Sequence, residues 1–400
     1  MMTGPFDEAA RATPMPRLCI LVHDLSATGV VRNALALSKH LARTMDVELV
    51  TIRGGGVLAG EVDPAVATVS LSGNMIGRVL RLRRRLRNAD VLLSAGNRGH
   101  LFAWLASARL ARLRRVYRLS NSFAHERAGN ALRQRLRSVG RWLTLSLIGR
   151  QADQLIANSP SLARELRQRL AGPARLAVIP NGVDVATVRR RAGEPCAAIN
   201  RKAPGVPLVL AVGRLVEQKN HETLVDALAV ANRTRPVDLA ILGAGTAEAR
   251  RRLERRAAAV GIADRLYLLP PTSNPFAIMR QASLFAMPSW WEGSSNALLE
   301  AIACGLPVVA SDRAGSAHEV LGFGRHGLLV DPRDAEGMGA AMLVQLSDEA
   351  VLPGEQASRY DSAVMLARYE ALIRRVIADP VAVQPRPRIR LPEAALTPPV

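Results

Sequence analysis

Cysteine is too scarce and too dispersed in this chain to build a disulfide framework or a zinc site. The three cysteines, Cys19, Cys196 and Cys304, lie far apart, and none belongs to a CxxC pair. Disulfide scaffolds and zinc sites need several cysteines or histidines at short, recurring spacings. The cysteine content is therefore typical of a reducing compartment.

Long apolar runs are also missing. The amino-terminal stretch MMTGPFDEAARATPMPR is polar and lacks the apolar core of a signal peptide. No run approaches the roughly 18 apolar residues that a membrane-spanning helix needs. We therefore expect a soluble, cytoplasmic protein.

Acidic residues and lysine are nearly absent from one region of the first half. Residues 78–150 hold 18 arginines, no lysine and only two acids, Asp90 and Glu126, which gives this region +16 of the chain's net charge of +20. Aromatic residues are not interleaved with the arginines, and no nucleic-acid-binding module is recognisable, so we expect no nucleic-acid partner. A charge this concentrated indicates a surface for some other negative partner.

Three segments of the basic region place apolar residues on one helical face. These residues are Val79, Leu82 and Leu86; Leu110, Leu113 and Tyr117; and Leu132, Leu136, Val139 and Leu143. They are expected to contribute to the packing of the domain. The surrounding arginines further suggest peripheral attachment to an anionic membrane surface, at the inner face of the cell membrane.

Short apolar runs alternate with amphipathic stretches along most of the chain. Continuous runs such as RLCILV, DVLLSA, PLVLAVG and PVVAS are typical of parallel strands buried on both faces. The charged stretch TVRRRAGEPCAAINRKAPGVP interrupts this alternation and reads as a linker. The pattern predicts two Rossmann-like doubly wound α/β domains facing each other across a cleft. The predicted bounds are 16–186 for the first domain, 187–206 for a linker, 207–357 for the second domain, 358–378 for a final helix, and 380–400 for a disordered tail.

Polar and glycine residues follow three of the predicted strands, where ligands bind in open parallel sheets. The first group is Ser26-Ala27-Thr28-Gly29, which opens a helix. The second, GRLVEQKNH at 213–221, carries two cations that suit a diphosphate. The third, PSWWEGSSNALLEA at 288–301, combines an anion-binding helix N-terminus with two glutamates eight residues apart.

In their order and spacing, these motifs resemble the retaining glycosyltransferases of family 4, which have the GT-B fold. The similarity rests on VGRLVEQKNHETLVDAL, AILGAGT, NPFAIMRQASLFAMPSWWEGSSNALLEAIACGLPVVASD and HGLLV, preceded by VIPNGVD at 178–184. It covers Arg17 to about Ala378 and is looser in the amino-terminal half. It implies that the first domain binds the acceptor, that the second domain binds a nucleotide-sugar, and that the final helix crosses back to the first domain.

The resemblance also implies roles for individual residues. Arg214 and Lys219 would hold the donor diphosphate, Glu292 would contact hydroxyls of the transferred sugar, and Glu300 would bind the ribose. The remaining donor contacts implied are Gly29, Gly213, Gly243, Gly245 and the backbone amides of Ser295, Asn296 and Ala297.

Two positions depart from the family pattern. Many relatives have a Gly-Gly pair where this chain has Thr28-Gly29, and a histidine directly after the fourth strand of the first domain. Here Ser120 and Asn121 follow that strand, and His125 comes a few residues later. Either Asn121 or His125 is a candidate for contact with the sugar or the acceptor.

The implied reaction moves a sugar from a UDP- or GDP-sugar donor to a saccharide or lipid-linked acceptor, with retention at the anomeric carbon. The nucleotide-sugar is a substrate, so no cofactor is expected. Because no D-x-D motif occurs, no essential metal is expected either. A sugar-nucleotide epimerase of the same fold remains an alternative, although it would need acid and base carboxylates in the half of the chain where acids are sparse. A basic nucleic-acid-binding protein is the non-enzymatic alternative.

Overall fold

The computed structural model describes residues 15–26, 28–120, 132–170, 175–196, 199 and 205–379. Within these ranges, the side chains of residues 132–139 are not described. The candidates Asn121 and His125 and the predicted tail 380–400 therefore lie outside the described residues.

The first domain is built on a seven-stranded parallel sheet. Its strands are β1 (Arg17–Val22), β2 (Asp46–Thr51), β3 (Ala67–Ser70), β4 (Val91–Ser94), β5 (Arg114–Leu119), β6 (Gln154–Ala157) and β7 (Leu176–Val178). They lie in the order β3-β2-β1-β4-β5-β6-β7. The helices that cover the sheet are α1 (Gly29–Leu41), α2 (Met75–Leu86), α3 (His100–Ser107), α4 (Leu132–Gln151) and α5 (Pro160–Arg169). The central strands are buried on both faces, as their continuous apolar sequences predict.

A six-stranded parallel sheet forms the second domain. Its strands are β8 (Leu208–Val212), β9 (Asp238–Leu242), β10 (Leu266–Leu269), β11 (Leu284–Met287), β12 (Val308–Ser311) and β13 (Leu328–Val330), in the order β10-β9-β8-β11-β12-β13. The helices, with α6 running ahead of β8, are α6 (Val185–Ala192), α7 (His221–Asn232), α8 (Ala247–Ala259), α9 (Pro275–Met279), α10 (Asn296–Ala303), α11 (Ala317–Val320), α12 (Ala335–Gln345) and α13 (Gln356–Arg359). In both sheets the strand order reverses beside the first strand, which confirms the predicted doubly wound architecture.

Helix α6 corrects the prediction that residues 187–206 form an irregular linker. Asp184 caps this helix by accepting a hydrogen bond from the backbone N–H of Thr187 at 2.8 Å. Val185, Val188 and Ala192 are buried in the core of the second domain. Their spacing of three and four residues is a helical period, which the three arginines between Val188 and Ala192 obscured.

The last helix, α14 (Ser362–Ala378), returns to the first domain, as predicted. It contributes five buried apolar or aromatic side chains to the core around β1, namely Met365, Tyr369, Leu372, Ile373 and Val376. Its Glu370 carboxylate lies 2.8 Å from Nε2 of His40 on α1. Helix α14 therefore completes the core of the first domain, although it follows the second domain in the sequence.

The first two of the three apolar faces predicted in the basic region contribute to the core, as expected. Leu82 and Leu86 on α2 are fully buried, and Tyr117 is buried within β5 rather than on a helix. Of the residues predicted on the third segment, Leu143 is 59% exposed. Leu132, Leu136 and Val139 belong to the undescribed side chains. Among the helices that the structure describes, none is both long and apolar enough to span a bilayer.

Candidate functional site

The carboxyl ends of the two sheets face each other at close range. Gly293, in the loop after β11, has no room for a side chain, because an added Cβ would lie 1.7 Å from the carbonyl oxygen of Ser120 after β5. Gly29, at the start of α1, also lies close to the second domain, because an added Cβ would be 2.7 Å from Nδ2 of Asn296. The predicted loops of the two domains therefore meet across one cleft.

Lys219 and Glu292 form an ion pair in this cleft. The Nζ of Lys219 lies 2.5 Å from Oε1 of Glu292, and the two side chains are only 16% and 11% exposed. The same carboxylate oxygen accepts a hydrogen bond from Oγ of Ser289 at 2.9 Å. A partly buried pair is attracted more strongly than a solvated one, so each charge fixes the position of the other.

Asn220 shapes the loop that carries Lys219. Its backbone is left-handed, at φ 52°, which asparagine tolerates better than most residues. Its Nδ2 donates to the carbonyl oxygens of Pro288 at 3.1 Å and Pro332 at 2.8 Å. These bonds tie the loop after β8 to the loops after β11 and β13. The sequence analysis did not identify Asn220, although a polar residue directly before a helix was the available signal.

Two of the predicted glycines, Gly213 and Gly243, are required by close packing around this loop. An added Cβ on Gly213 would lie 2.9 Å from Cε of Lys219, so the lysine stem lies against the bare backbone. An added Cβ on Gly243 would lie 2.0 Å from the carbonyl oxygen of Gly213. Gly245 is similarly restricted by the side chain of Leu215, at 2.5 Å.

The amino terminus of α10 points its first amides towards the cleft. Ser295 caps this helix, its Oγ accepting from the backbone N–H of Leu298 at 3.4 Å. The first amides of a helix have no intrahelical acceptor and carry partial positive charge, which makes the predicted amides of Ser295, Asn296 and Ala297 suitable for binding an anion.

Asn181 holds this helix terminus against the first domain. Its Nδ2 donates to the carbonyl oxygen of Ser294 at 3.1 Å and to Oδ1 of Asn296 at 2.7 Å. Its Oδ1 in turn accepts from the buried guanidinium of Arg118 at 2.5 Å. The motif VIPNGVD contains Asn181, but its role as the polar link between the domains became visible only in the structure.

Glu300 lies further along α10, on the side facing the first domain. Burial raises the pKa of its carboxyl, and the nearby Arg32 of α1 opposes that rise. The described residues offer this carboxylate no hydrogen-bond donor. A partly buried carboxylate without a donor is costly in the free protein, and hydroxyl groups of a ligand would satisfy it.

Arg214 is exposed at the edge of the site. Across the described ranges its guanidinium has no carboxylate partner, so it remains available to an anion. His221, two residues after Lys219, is buried, and burial together with Lys219 lowers its pKa to about 4. His221 is therefore neutral near pH 7 and adds no cation to the site.

The structure brings most of the predicted residues into one cleft. Gly29, Gly213, Lys219, Gly243, Glu292, Ser295, Asn296, Ala297 and Glu300 all lie there, with Arg214 at its edge. The candidates Asn121 and His125 follow Ser120 directly, outside the described residues. No cluster of three histidines, cysteines or carboxylates suited to a metal ion occurs within the described part of the chain.

Two family models match the chain, one for each domain. The model of glycosyltransferase family 4 matches residues 27–187, and the model of glycosyl transferases group 1 matches residues 206–348. Together they cover about three quarters of the sequence and leave residues 188–205 between them.

Individual relatives agree with these models. The chain is 29% identical to the N-acetylgalactosamine-N,N'-diacetylbacillosaminyl-diphospho-undecaprenol 4-alpha-N-acetylgalactosaminyltransferase of Campylobacter jejuni. The aligned stretch of 206 residues makes up 51% of this chain and 54% of that protein. Over 215 residues the chain is 35% identical to the D-inositol 3-phosphate glycosyltransferase of Geodermatophilus obscurus, 50% of this chain and 47% of that protein. The chain thus spans about half the length of the curated relatives that it matches.

Solved structures extend the similarity to both domains. HepE of Anabaena, crystallised with UDP and glucose, superposes with a TM-score of 0.73 at 18% identity and covers 90% of this chain and 99% of its own. At this identity the likeness concerns the fold. From the two family models and the two facing doubly wound domains, we conclude that the chain belongs to the glycosyltransferases of family 4, with the GT-B fold.

Proposed function

We propose that this protein transfers a sugar from a UDP- or GDP-sugar to a saccharide or lipid-linked acceptor, with retention of the anomeric configuration. The observation that carries the proposal is the Lys219–Glu292 pair, which is partly buried in the cleft near the amino terminus of α10. A cation and helix amides on one side suit a diphosphate, and a carboxylate beside them suits sugar hydroxyls.

The main catalytic contribution that we propose is stabilisation of the negative charge that develops on the leaving diphosphate. As the glycosidic bond breaks, negative charge grows on the leaving diphosphate, and Arg214, Lys219 and the α10 amides would stabilise that charge. Glu292 would orient the sugar through its hydroxyls, and Glu300 would accept hydrogen bonds from the ribose. Orientation in a closed cleft then supplies a further share of the rate enhancement.

A thermal-shift screen with UDP-, GDP- and ADP-sugars is the first test. A ligand that binds only the folded state stabilises that state, by about 2.7 kcal/mol at a hundredfold excess over its Kd. The melting temperature therefore rises. The sugar nucleotide that shifts the melting point is then incubated with the enzyme. Release of free nucleotide with transfer or hydrolysis of the sugar supports the proposal, whereas conversion to an epimeric sugar nucleotide supports the epimerase.

We expect activity to persist in EDTA. The groups proposed to bind the leaving diphosphate are cationic side chains and helix amides, and neither depends on Mg²⁺. The measurement is nucleotide release in chelator, compared with the same enzyme supplied with Mn²⁺ or Mg²⁺. Activity that is lost in EDTA and restored by either metal contradicts this expectation.

A lipid-linked acceptor would place the enzyme at a membrane. The Campylobacter jejuni relative is named for an acceptor linked to diphospho-undecaprenol, which supports this choice for the present chain.

Helix α2 offers a surface suited to contact with a membrane. Met75, Ile76 and Leu80, which we call the α2 apolar patch, are 67%, 72% and 53% exposed beside the arginines of the same helix. Exposed apolar side chains ringed by arginines are typical of helices that lie in an anionic lipid surface.

Vesicle co-sedimentation measures this attachment. We expect binding to phosphatidylglycerol vesicles that falls as salt rises, because each arginine near an anionic leaflet contributes roughly 1 kcal/mol. Changing Met75, Ile76 and Leu80 together to serine should weaken binding by about tenfold or more, since the apolar contribution is lost. Leu352→Ser, in the second domain and similarly exposed at 59%, is the control and should have no effect. Equal recovery with neutral vesicles, or none at low salt, contradicts the attachment.

A further inference from the structure

A second group of cations lies on the first domain, at the edge of the sheet that faces the cleft. Arg53 follows β2 and Arg98 follows β4, the two strands that pair with β1 on either side. The carboxyl ends of parallel strands share one edge, so both arginines flank His23, which follows β1. Arg78 lies in the first turn of α2, near enough for its charge to lower the pKa of His23.

Direct contacts confirm that these loops meet. The backbone N–H of Arg53 donates to the carbonyl oxygen of His23 at 2.8 Å. An added Cβ on Gly99, next to Arg98, would lie 3.6 Å from Cδ1 of Ile52, next to Arg53. The electrostatic fields of Arg98, Arg53 and Arg78 also reach the imidazole: the pKa of His23 is lowered first by burial, against the opposing effect of Asp24, and then by these three arginines.

Several polar atoms in this group have no partner among the residues that the structure describes. Nδ1 of His23 and Nε of Arg78 are buried there without a hydrogen-bond partner. Arg53, Arg78 and Arg98 pair with no acid in the described portion of the chain. The nearby carboxylate, Asp24, already accepts two hydrogen bonds from Ser26, at 3.0 Å to the amide and 2.5 Å to the hydroxyl. Buried donors and unpaired cations at one position point to an anionic ligand.

We propose that Arg53, Arg78, Arg98 and His23 form an acceptor-side site for a phosphate group, so that the acceptor of this enzyme is a phosphorylated or diphosphate-linked saccharide. This inference rests on the proposed function, because it assumes that the donor occupies the second domain. The site lies on the opposite domain from Lys219 and Arg214, so the enzyme holds two phosphate groups and brings the sugars between them. Its position next to the α2 apolar patch suits a phosphate at the surface of a membrane.

The test uses inorganic pyrophosphate as the probe, with the donor site saturated by UDP. Isothermal titration first measures UDP binding alone and then pyrophosphate binding to the UDP complex. We expect Arg53→Gln and Arg98→Gln each to raise the Kd for pyrophosphate by about tenfold while leaving the Kd for UDP unchanged. Both side chains are exposed, so the variants should fold normally, which circular dichroism checks.

Arg112→Gln is the matched control. Arg112 is also exposed, but it precedes β5 and so lies at the opposite edge of the sheet. Its substitution by glutamine removes the same charge as the test variants do. It should leave the Kd for pyrophosphate unchanged. If pyrophosphate does not bind the UDP complex, or if Arg112→Gln weakens it as much as Arg98→Gln does, the acceptor-side site is wrong. Failure of UDP itself to bind contradicts the proposed function instead.

Farnesyl diphosphate separates the two possible sources of the phosphate. It carries the same diphosphate on an isoprenoid chain. Tighter binding than pyrophosphate, lost when Met75, Ile76 and Leu80 are changed to serine, supports a lipid-linked acceptor at this site. Equal affinities support a free sugar phosphate at the same site.

Discussion

Lys219→Ala is expected to lower the turnover of sugar transfer by at least about a hundredfold. Its Nζ is the least exposed cation proposed to meet the donor diphosphate, and loss of one charge-stabilising donor in an active site typically costs about 10²–10³ in kcat. The substitution also leaves Glu292 without its cation at a position that is 11% exposed, which adds repulsion against the incoming diphosphate. The Kd for UDP, measured by titration, should therefore rise as well.

Glu292→Ala should distinguish the role of Glu292 from that of Lys219. Its carboxylate is proposed to contact the sugar rather than the diphosphate, so turnover with bound donor should fall while UDP binding changes little. Glu336→Ala is the control, because Glu336 also pairs with a cation, Arg233 at 2.9 Å, but lies on the surface with both side chains about two-thirds exposed. Turnover near the wild-type value in Lys219→Ala or Glu292→Ala, with the control unaffected, contradicts the assignment of the site.

Gly293→Ala is the second change with a large expected effect. The new methyl group would lie 1.7 Å from the carbonyl oxygen of Ser120 and 3.1 Å from Nδ2 of Asn158, both in the opposite domain. The domains must move apart by an ångström or more, and misplacement on that scale can cost about 10²-fold in rate. We expect kcat to fall by that order, and small-angle scattering to show a more open molecule.

The stability of the individual domains should survive this change, because the contact lies between them and not in either core. Gly60→Ala is the matched control, since an added Cβ at Gly60 has nothing within 4 Å and its backbone is not left-handed. A Gly293→Ala enzyme with full turnover and an unchanged scattering profile contradicts the interpretation of this contact as a limit on domain closure.

The sheets and the loops of the proposed donor site could be predicted because local sequence determines where they lie. Buried parallel strands are continuous apolar runs, and the loop residues Lys219 and Glu292 follow such runs directly. The return of the last helix and the motif order came from the resemblance to a known family, since neither can be derived from periodicity.

Features that depend on packing between distant segments escaped the sequence analysis. Helix α6 was missed because its three buried residues lie among arginines. The exposed apolar side chains of α2 were also missed: Leu82 and Leu86 pack into the core as expected, whereas Met75 and Ile76, which the sequence analysis did not mention, are exposed. A hydrophobic period shows that a helix has an apolar face, but it does not identify the apolar residues that lie off that face. The polar link through Asn181 joins residues more than 110 positions apart, which no local pattern encodes.

The two passages of the chain between the domains lie side by side. Val183 donates to the carbonyl oxygen of Tyr360 at 2.8 Å, and Ser362 donates back to that of Val183 at 2.9 Å. The second domain is thus an insertion into the first, placed ahead of α14. During synthesis on a ribosome, the domain that emerges first must therefore wait for the final helix to complete its core, while the later domain already holds all its strands. We expect nascent chains that end before Ser362 to present the apolar groove of the first domain to chaperones until Met365, Tyr369 and Ile373 arrive to fill it.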